Sequence, residues 1–354
     1  MEKRLLSIQA ARGIAALLVV FYHAGRMIAL PQYTGYIPLS GFFNFGHAGV
    51  DFFFVLSGFI IYFVHHKDIG RADRLQRYAW RRATRIYPIY WIVTVLVLAA
   101  SMTHPEKPDI AHIAKSLLLF PENAEPIVGV AWTLNHEILF YLIFLTLIVQ
   151  RRLGILLFAL WAGVIASWPL GLLPNNFTFE FLASPYNMQF FMGMGAAYLV
   201  LNSRVPSPRL LALLGTCAFF AVGMMENAGI IQARTDLLSE ALFGASAATT
   251  VLGLAAAEVT GKLTASKSAS FLGEASYSIY LIHVAIIGWT AHVLQIAGVI
   301  KAIPGWAAIL FVAASALTVA FLLYDFVEKR ALTWLNDFGR NHIYGPLRQR
   351  EVRA

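Results

Sequence analysis

Cysteine occurs once in 354 residues, as Cys217 within an apolar stretch, so there is neither a disulfide framework nor a thiolate metal site. Structural zinc and CxxC redox chemistry are excluded with it. Charge is scarce as well: 13% of residues are Asp, Glu, Lys or Arg, where an average soluble domain has about 25%. That shortage, beside a hydrophobic fraction of 58%, excludes a soluble globular protein. The period-two alternation of a membrane barrel is missing too. What the chain has instead is apolar runs of roughly 18 residues or longer from end to end, each able to cross about 30 Å of hydrocarbon as a helix.

Ten helical spans fit, at 8–29, 49–66, 86–103, 131–149, 153–169, 187–203, 210–225, 237–257, 271–295 and 305–327. The expected fold is therefore all-α: a polytopic integral membrane helix bundle of about ten transmembrane helices over residues 1–330, with a short basic tail at 331–354. The opening Met1-Glu2-Lys3-Arg4 and its apolar run resemble a signal peptide. Arg12 and His23 interrupt that run, so it is read as the first retained span. The stretch 112–121 is too short to cross and is placed as an interfacial helix. His104-Pro105-Glu106 and Pro174-Asn175-Asn176 mark turns on the opposite side.

A net charge of +8 could signal nucleic acid, and the distribution of the 27 basic residues decides. Twenty-one of them fall on the side of the N-terminus, including the run from Lys67 to Arg85 and the tail with Arg348, Arg350 and Arg353. Five fall on the other side, among them Arg234 and Lys301, and Arg12 sits at the base of the first span. This asymmetry puts both termini in the cytoplasm. The basicity is a topology signal, and no nucleic-acid partner is expected.

Ionisable groups at bilayer depth cost roughly 2.5–3.5 kcal/mol on insertion scales, so the few present are candidates for function. They are Arg12 and His23 in the first span, His136 and Glu137 in the fourth, Glu240 in the eighth and His283 in the ninth. Arg12 and His23 lie on one face within about 20°, separated by about 16 Å along the axis. Counting from the expected span ends puts Glu137 and His283 each about 18 Å deep, level with His23. The plainer reading of each is packing against a backbone carbonyl. Arg82 and Arg85 are i,i+3 neighbours ahead of Pro88 and could share a phosphate, against a strong alternative of positive-inside anchoring to lipid headgroups. Ser276, Tyr277, Tyr280 and His283 could form a polar stripe lining a cavity, although Tyr in an apolar helix is more often interfacial. Asp51 begins the second span, where the helix dipole favours a carboxylate. Stabilisation is its first role there, with a cavity-lining place for it and Trp132 as the functional one.

Three motif matches fail. His136-Glu137 opens an HExxH, but position 140 is Phe, and no metal site is expected. Gly193-Met-Gly195 follows no strand and reads as close helix packing by small residues. Asn176-Phe-Thr178 is a glycosylation sequon by pattern only.

These residues resemble the acyltransferase-3 membrane proteins, which O-acylate surface and exported polysaccharides in bacteria. The matching blocks are Arg12 and His23; Gly46-His-Ala-Gly49-Val-Asp51-Phe-Phe-Phe-Val-Leu-Ser57-Gly58; and Arg82-Ala-Thr-Arg85-Ile-Tyr-Pro88. Trp132-Thr-Leu-Asn-His-Glu137-Ile-Leu-Phe-Tyr141, Ser276-Tyr277-Ser-Ile-Tyr280-Leu-Ile-His283 and Phe326-Val-Glu328 complete them, six in order along the chain. The resemblance is greatest to the exopolysaccharide-acetylating branch. It implies a multi-pass protein of the bacterial cytoplasmic (inner) membrane. Such a protein takes an acyl group, usually acetyl, from cytoplasmic acyl-CoA and delivers it to a hydroxyl of a polysaccharide or lipid-linked oligosaccharide. It also implies that Arg12, Arg82 and Arg85 hold the coenzyme A phosphates, that His23 is the central catalytic residue, and that acetyl-CoA is a substrate, with no tightly bound cofactor. The Lys329-Arg330 after Glu328, in place of a nearby Pro, leaves Glu328 little weight.

On this reading Glu137 orients His23, which acts as base or takes the acyl group itself. The rival from another class is a proton-coupled transporter of a glycan or lipid-linked sugar, since buried His and Glu also suit a proton relay. A non-catalytic subunit of a polysaccharide assembly complex is the third reading, under which these buried groups would serve no purpose.

Overall fold

The computed structural model describes residues 5–101, 107–232, 237–264 and 266–345. Lys3, Arg4, His104, Pro105, Glu106, Arg234, Arg348, Arg350 and Arg353 lie outside these ranges. Among the described residues the chain is helical throughout and contains no strand.

In chain order the α-helices are α1 Leu6–Ile28, α2 Gly49–His65, α3 Leu75–Ser101, α4 Ile110–Leu118, α5 Trp132–Val149, α6 Arg151–Ser167, α7 Phe177–Ala183 and α8 Pro185–Asn202. They continue as α9 Pro208–Asn227, α10 Leu237–Val259, α11 Lys267–Glu274, α12 Ser276–Ile296, α13 Gly305–Leu323 and α14 Lys329–His342. Eight of the ten expected spans are long and apolar enough to cross a membrane. The other two, α6 and α8, have 17 and 18 residues, and α8 carries the polar Asn187, Gln189 and Asn202. The chain is a multi-pass helical membrane protein.

Several boundaries differ from the sequence reading, each for a local reason. Helix α3 begins eleven residues before the expected start and runs on through Pro88, so the arginine cluster lies on the helix rather than in a loop ahead of it. Beside the proline, the Tyr277 hydroxyl of α12 donates to the Ile86 carbonyl at 2.7 Å. The ninth span is broken at Ala275 into α11 and α12, so its long helix α12 begins five residues after the expected start at 271. The short amphipathic helix expected at 112–121 is α4, capped by Asp109 and closed by Leu119 in the left-handed conformation. Just beyond it Glu122 accepts from Lys115 and from His112, and the Lys115 ammonium holds its carboxyl below the usual range. Asn176 of the sequon uses its side chain to cap α7.

Two tight helix pairs frame the bundle, α2 with α8 and α9 with α10. In the first, a Cβ at Gly58 would collide with the Phe190 carbonyl, and one at Gly193 would collide with the Val55 carbonyl. Glycine lets the two backbones meet there, as small residues do in membrane helices generally. Gly195 takes no part, since open space surrounds its Cβ position.

Helix α13 passes into α14 through a π-helical turn at Tyr324–Glu328. The wider turn shifts the helical register, and Glu328 ends fully buried against the bundle.

Candidate active site

A cavity of about 770 Å³ opens between α1, α2, α3, α5, α12 and α14, in the size range of small-molecule sites. The face of α2 turned to it is Val50, Phe53, Phe54, Ser57, Ile60 and Ile61, an i, i+3, i+4, i+7 stripe. Five cationic side chains line the cavity, Arg12, Arg81, Arg82, Arg85 and Lys329, against two carboxylates, Glu137 and Glu274. This excess of positive charge in a partly enclosed space favours an anionic ligand.

The arginines are held differently. Arg85 Nη1 donates to Glu328 Oε1 at 2.6 Å and its guanidinium lies 5.2 Å from the Tyr277 ring centre. Ser278 donates to the second Glu328 oxygen at 2.6 Å. Arg85 is therefore already neutralised by a buried carboxylate that the sequence reading gave little weight. Arg82 lies 5.7 Å from the Tyr141 ring centre, and its Nε is buried with no protein hydrogen-bond partner. Arg12 donates to Gln9 one turn back on α1 at 3.2 Å. Arg82 and Arg12 thus keep charge that a ligand can use.

Glu137 stands across from them. Its carboxylate accepts from Ser57 at 2.9 Å and from Tyr141 through a very short bond. One turn along α5, Thr133 meets the Tyr280 hydroxyl at 2.9 Å, and Tyr280 also donates to the Val130 carbonyl at 3.1 Å. Tyr280, Tyr277 and Ser276 line the cavity, and Ser276 Oγ is buried without a protein partner.

Two histidines lie beyond the cavity lining, behind Tyr280, whose ring centre is 5.9 Å from that of His283. His283 Nε2 is 3.1 Å from His23 Nδ1. His283 Nδ1 is 2.7 Å from the Tyr280 carbonyl, which only accepts, so that nitrogen carries the hydrogen. Nε2 of neutral His283 is then an acceptor. His23 Nδ1 faces this acceptor and the Val19 carbonyl at 3.0 Å, so it too carries hydrogen. In the neutral pair the lone pair of His23 is therefore at Nε2, the tautomer of a general base.

This arrangement corrects the expected orienting pair. Glu137 is bonded to Ser57 and Tyr141, and His23 meets His283. Counting depth from span ends assumes that all spans begin in one plane. Helix α12 begins late, and it is Thr133, a turn away from Glu137, that meets α12 at Tyr280.

Asp51 is corrected as well. It lies on the Asp51, Val55, Gly58 face of α2, which packs on α8, and not on the stripe facing the cavity. There it accepts from Gln189, whose amide also reaches Glu240 of α10 at 3.2 Å. Trp132 packs against Phe54, His136 and Tyr186 outside the lining, and His136 bonds Asn187 at 2.9 Å.

Sequence reasoning missed Ser57, Tyr141, Arg81 and Lys329 as lining residues. It also missed a buried His47–Glu226 pair at 2.6 Å. Ser57 and Tyr141 stand inside the quoted blocks. The signal for Glu328 was its place in the Phe326-Val-Glu328 block at the end of the last span.

A family profile described as an acyltransferase domain matches residues 5–325. The exopolysaccharide production protein ExoZ of Rhizobium meliloti (strain 1021) is 30% identical over 253 residues, covering 68% of this chain and 76% of the relative. No solved structure matches. A match over nearly the whole chain, on a helical membrane bundle with a cationic cavity beside paired histidines, makes this protein a membrane acyltransferase, a member of the acyltransferase-3 family.

Proposed function

We propose that this acyltransferase moves an acetyl group from acetyl-CoA, entering from the cytoplasm, to a hydroxyl of an exopolysaccharide or its lipid-linked precursor, in the inner membrane of a bacterium. The observation that carries this reading is the adjacency of a cationic cavity and a histidine pair. A cavity lined by five cationic side chains, of which Arg85 is paired with Glu328, includes Thr133 and Tyr280 in its wall, and Tyr280 is one ring from the His23–His283 pair. Arg12 and His23 share a face of α1 about 16 Å apart, a separation that a pantetheine arm bridges between phosphates at one end and a thioester at the other. The unpartnered Arg82 Nε and Ser276 Oγ are donors that ligand oxygens would complete. An acceptor polysaccharide is supported by the ExoZ relative, whose name states exopolysaccharide production.

In the reaction, His23 Nε2 takes the proton of the acceptor hydroxyl as its oxygen attacks the thioester carbonyl. The carbon–sulfur bond breaks, and the thiolate leaves with the proton returned by His23. His283 keeps the proton-accepting lone pair on His23 Nε2 by accepting from Nδ1. The cations hold the donor and contribute binding rather than chemistry.

The test uses purified protein in vesicles with labelled acetyl-CoA and acceptor glycan. His23→Ala is expected to bind donor while losing transfer by about 10²–10⁴-fold, the usual worth of a general base. Full transfer by that variant would remove His23 from the mechanism. Uptake of label without acyl transfer would instead favour the transporter reading.

A further inference from the structure

Residues 331–354 read as a basic tail apart from the bundle, yet α14 forms part of the cavity. Lys329, Leu332, Thr333 and Asn336 all line it, at i, i+3, i+4 and i+7, so one whole face of the helix looks inward. Apart from Leu332 that face is polar, and Lys329 makes it cationic. The row Trp334, Phe338, on the other hand, stacks at 5.8 Å and leaves Trp334 65% exposed, as suits a lipid interface.

The face is fixed in place at both ends. At its base Glu328 is tied to Arg85 and Ser278. Farther along, the Trp80 indole of α3 donates to the Leu335 carbonyl at 2.9 Å, and the Phe338 ring lies 5.9 Å from that of Trp80. A Cβ on Gly339 would overlap the same indole, so glycine is what lets α14 lie this close. A helix held so firmly, whose Lys329 and Asn336 line the same cavity as Arg81 and Arg82, presents a built surface for a phosphorylated, hydrogen-bonding ligand end. Lysine meets phosphate as a point charge, and the Asn amide supplies donor and acceptor to a heterocycle edge.

We propose that α14 is the nucleotide subsite of the donor cavity. Lys329 faces a phosphate, and Thr333 and Asn336 meet the ribose or base, while Arg12 and Arg82 act deeper on the pyrophosphate. This rests on the acyl-CoA reading above.

The test titrates the full chain in nanodiscs with coenzyme A and with 4′-phosphopantetheine, which keeps the arm and lacks the nucleotide. Lys329→Gln and Asn336→Ala are each expected to weaken coenzyme A about tenfold, the loss of roughly one good hydrogen bond, and to leave 4′-phosphopantetheine unchanged. Gly339→Leu, which pushes α14 off Trp80, should show the same selectivity, and Lys329→Arg should restore coenzyme A binding. Unchanged coenzyme A affinity in the variants, or an equal loss for both ligands, overturns the subsite while leaving the donor assignment standing. A wild-type chain that binds neither ligand overturns the donor assignment and the subsite together.

Discussion

Arg85 and Glu328 illustrate how partners decide a side chain's work. The guanidinium reads from sequence as a phosphate ligand, but it spends its charge on a carboxylate with no exposed surface. Removing one member of a buried pair leaves the other uncompensated, at a cost of about 3–5 kcal/mol. Glu328→Gln should therefore lower the unfolding midpoint in detergent substantially, and the Glu328→Gln, Arg85→Gln double variant should recover part of that loss. Additive effects of the two substitutions would show that the pair is not coupled. In the proposed mechanism His283 acts through His23, so His283→Ala is expected to lower kcat about tenfold or more with the KM for donor unchanged. A rise in KM alone would place His283 in donor binding instead.

At the scale of elements, α2 is shared between two tasks. Its stripe from Val50 to Ile61 faces the cavity, and its Asp51, Val55, Gly58 face fits α8 through backbone contact. Gly193→Leu would force α8 away from α2, and overpacking of this kind costs about 1–3 kcal/mol. The expected result is a lower thermal midpoint and reduced activity, with Gly195→Leu as the comparison that leaves both unchanged because its surroundings are open. Equal effects at the two positions would show that helix propensity rather than contact sets the response. The π-helical turn at Tyr324–Glu328 has a similar double consequence. It buries Glu328 against Arg85, and it sends α14 across the end of α3.

For the whole molecule, the distribution of basic residues sets orientation, and orientation decides which compartment supplies the donor. With Cys217 replaced by serine, a cysteine at Lys301 should react with a membrane-impermeant thiol reagent applied from outside, whereas one at Arg204 should react only after permeabilisation. The reverse pattern would place the arginine-lined cavity on the outer face and remove cytoplasmic acyl-CoA as its ligand.

Composition and apolar runs alone determine that this chain is a helical membrane bundle, because only helices and closed barrels satisfy the backbone in hydrocarbon and the continuous runs lack a barrel's alternation. The span cores are legible for the same reason. Arg12, Arg82, Tyr277 and Tyr280 stand out as rare polar groups, and the structure places them around one cavity. Which polar group touches which was not legible. Hydropathy reports that a helix crosses and says nothing of its rotation or of the plane in which it begins. His23 meets His283, while Glu137 bonds Ser57 and Tyr141, although His23, Glu137 and His283 read as lying at one depth. One residue's rotation separates Asp51 from the cavity stripe. Glu328 and α14 are placed by a π-helical turn, a change of register that a hydropathy pattern does not show. Pairings between side chains some 250 positions apart, such as Arg85 with Glu328 and His23 with His283, exist only once the helices are assembled.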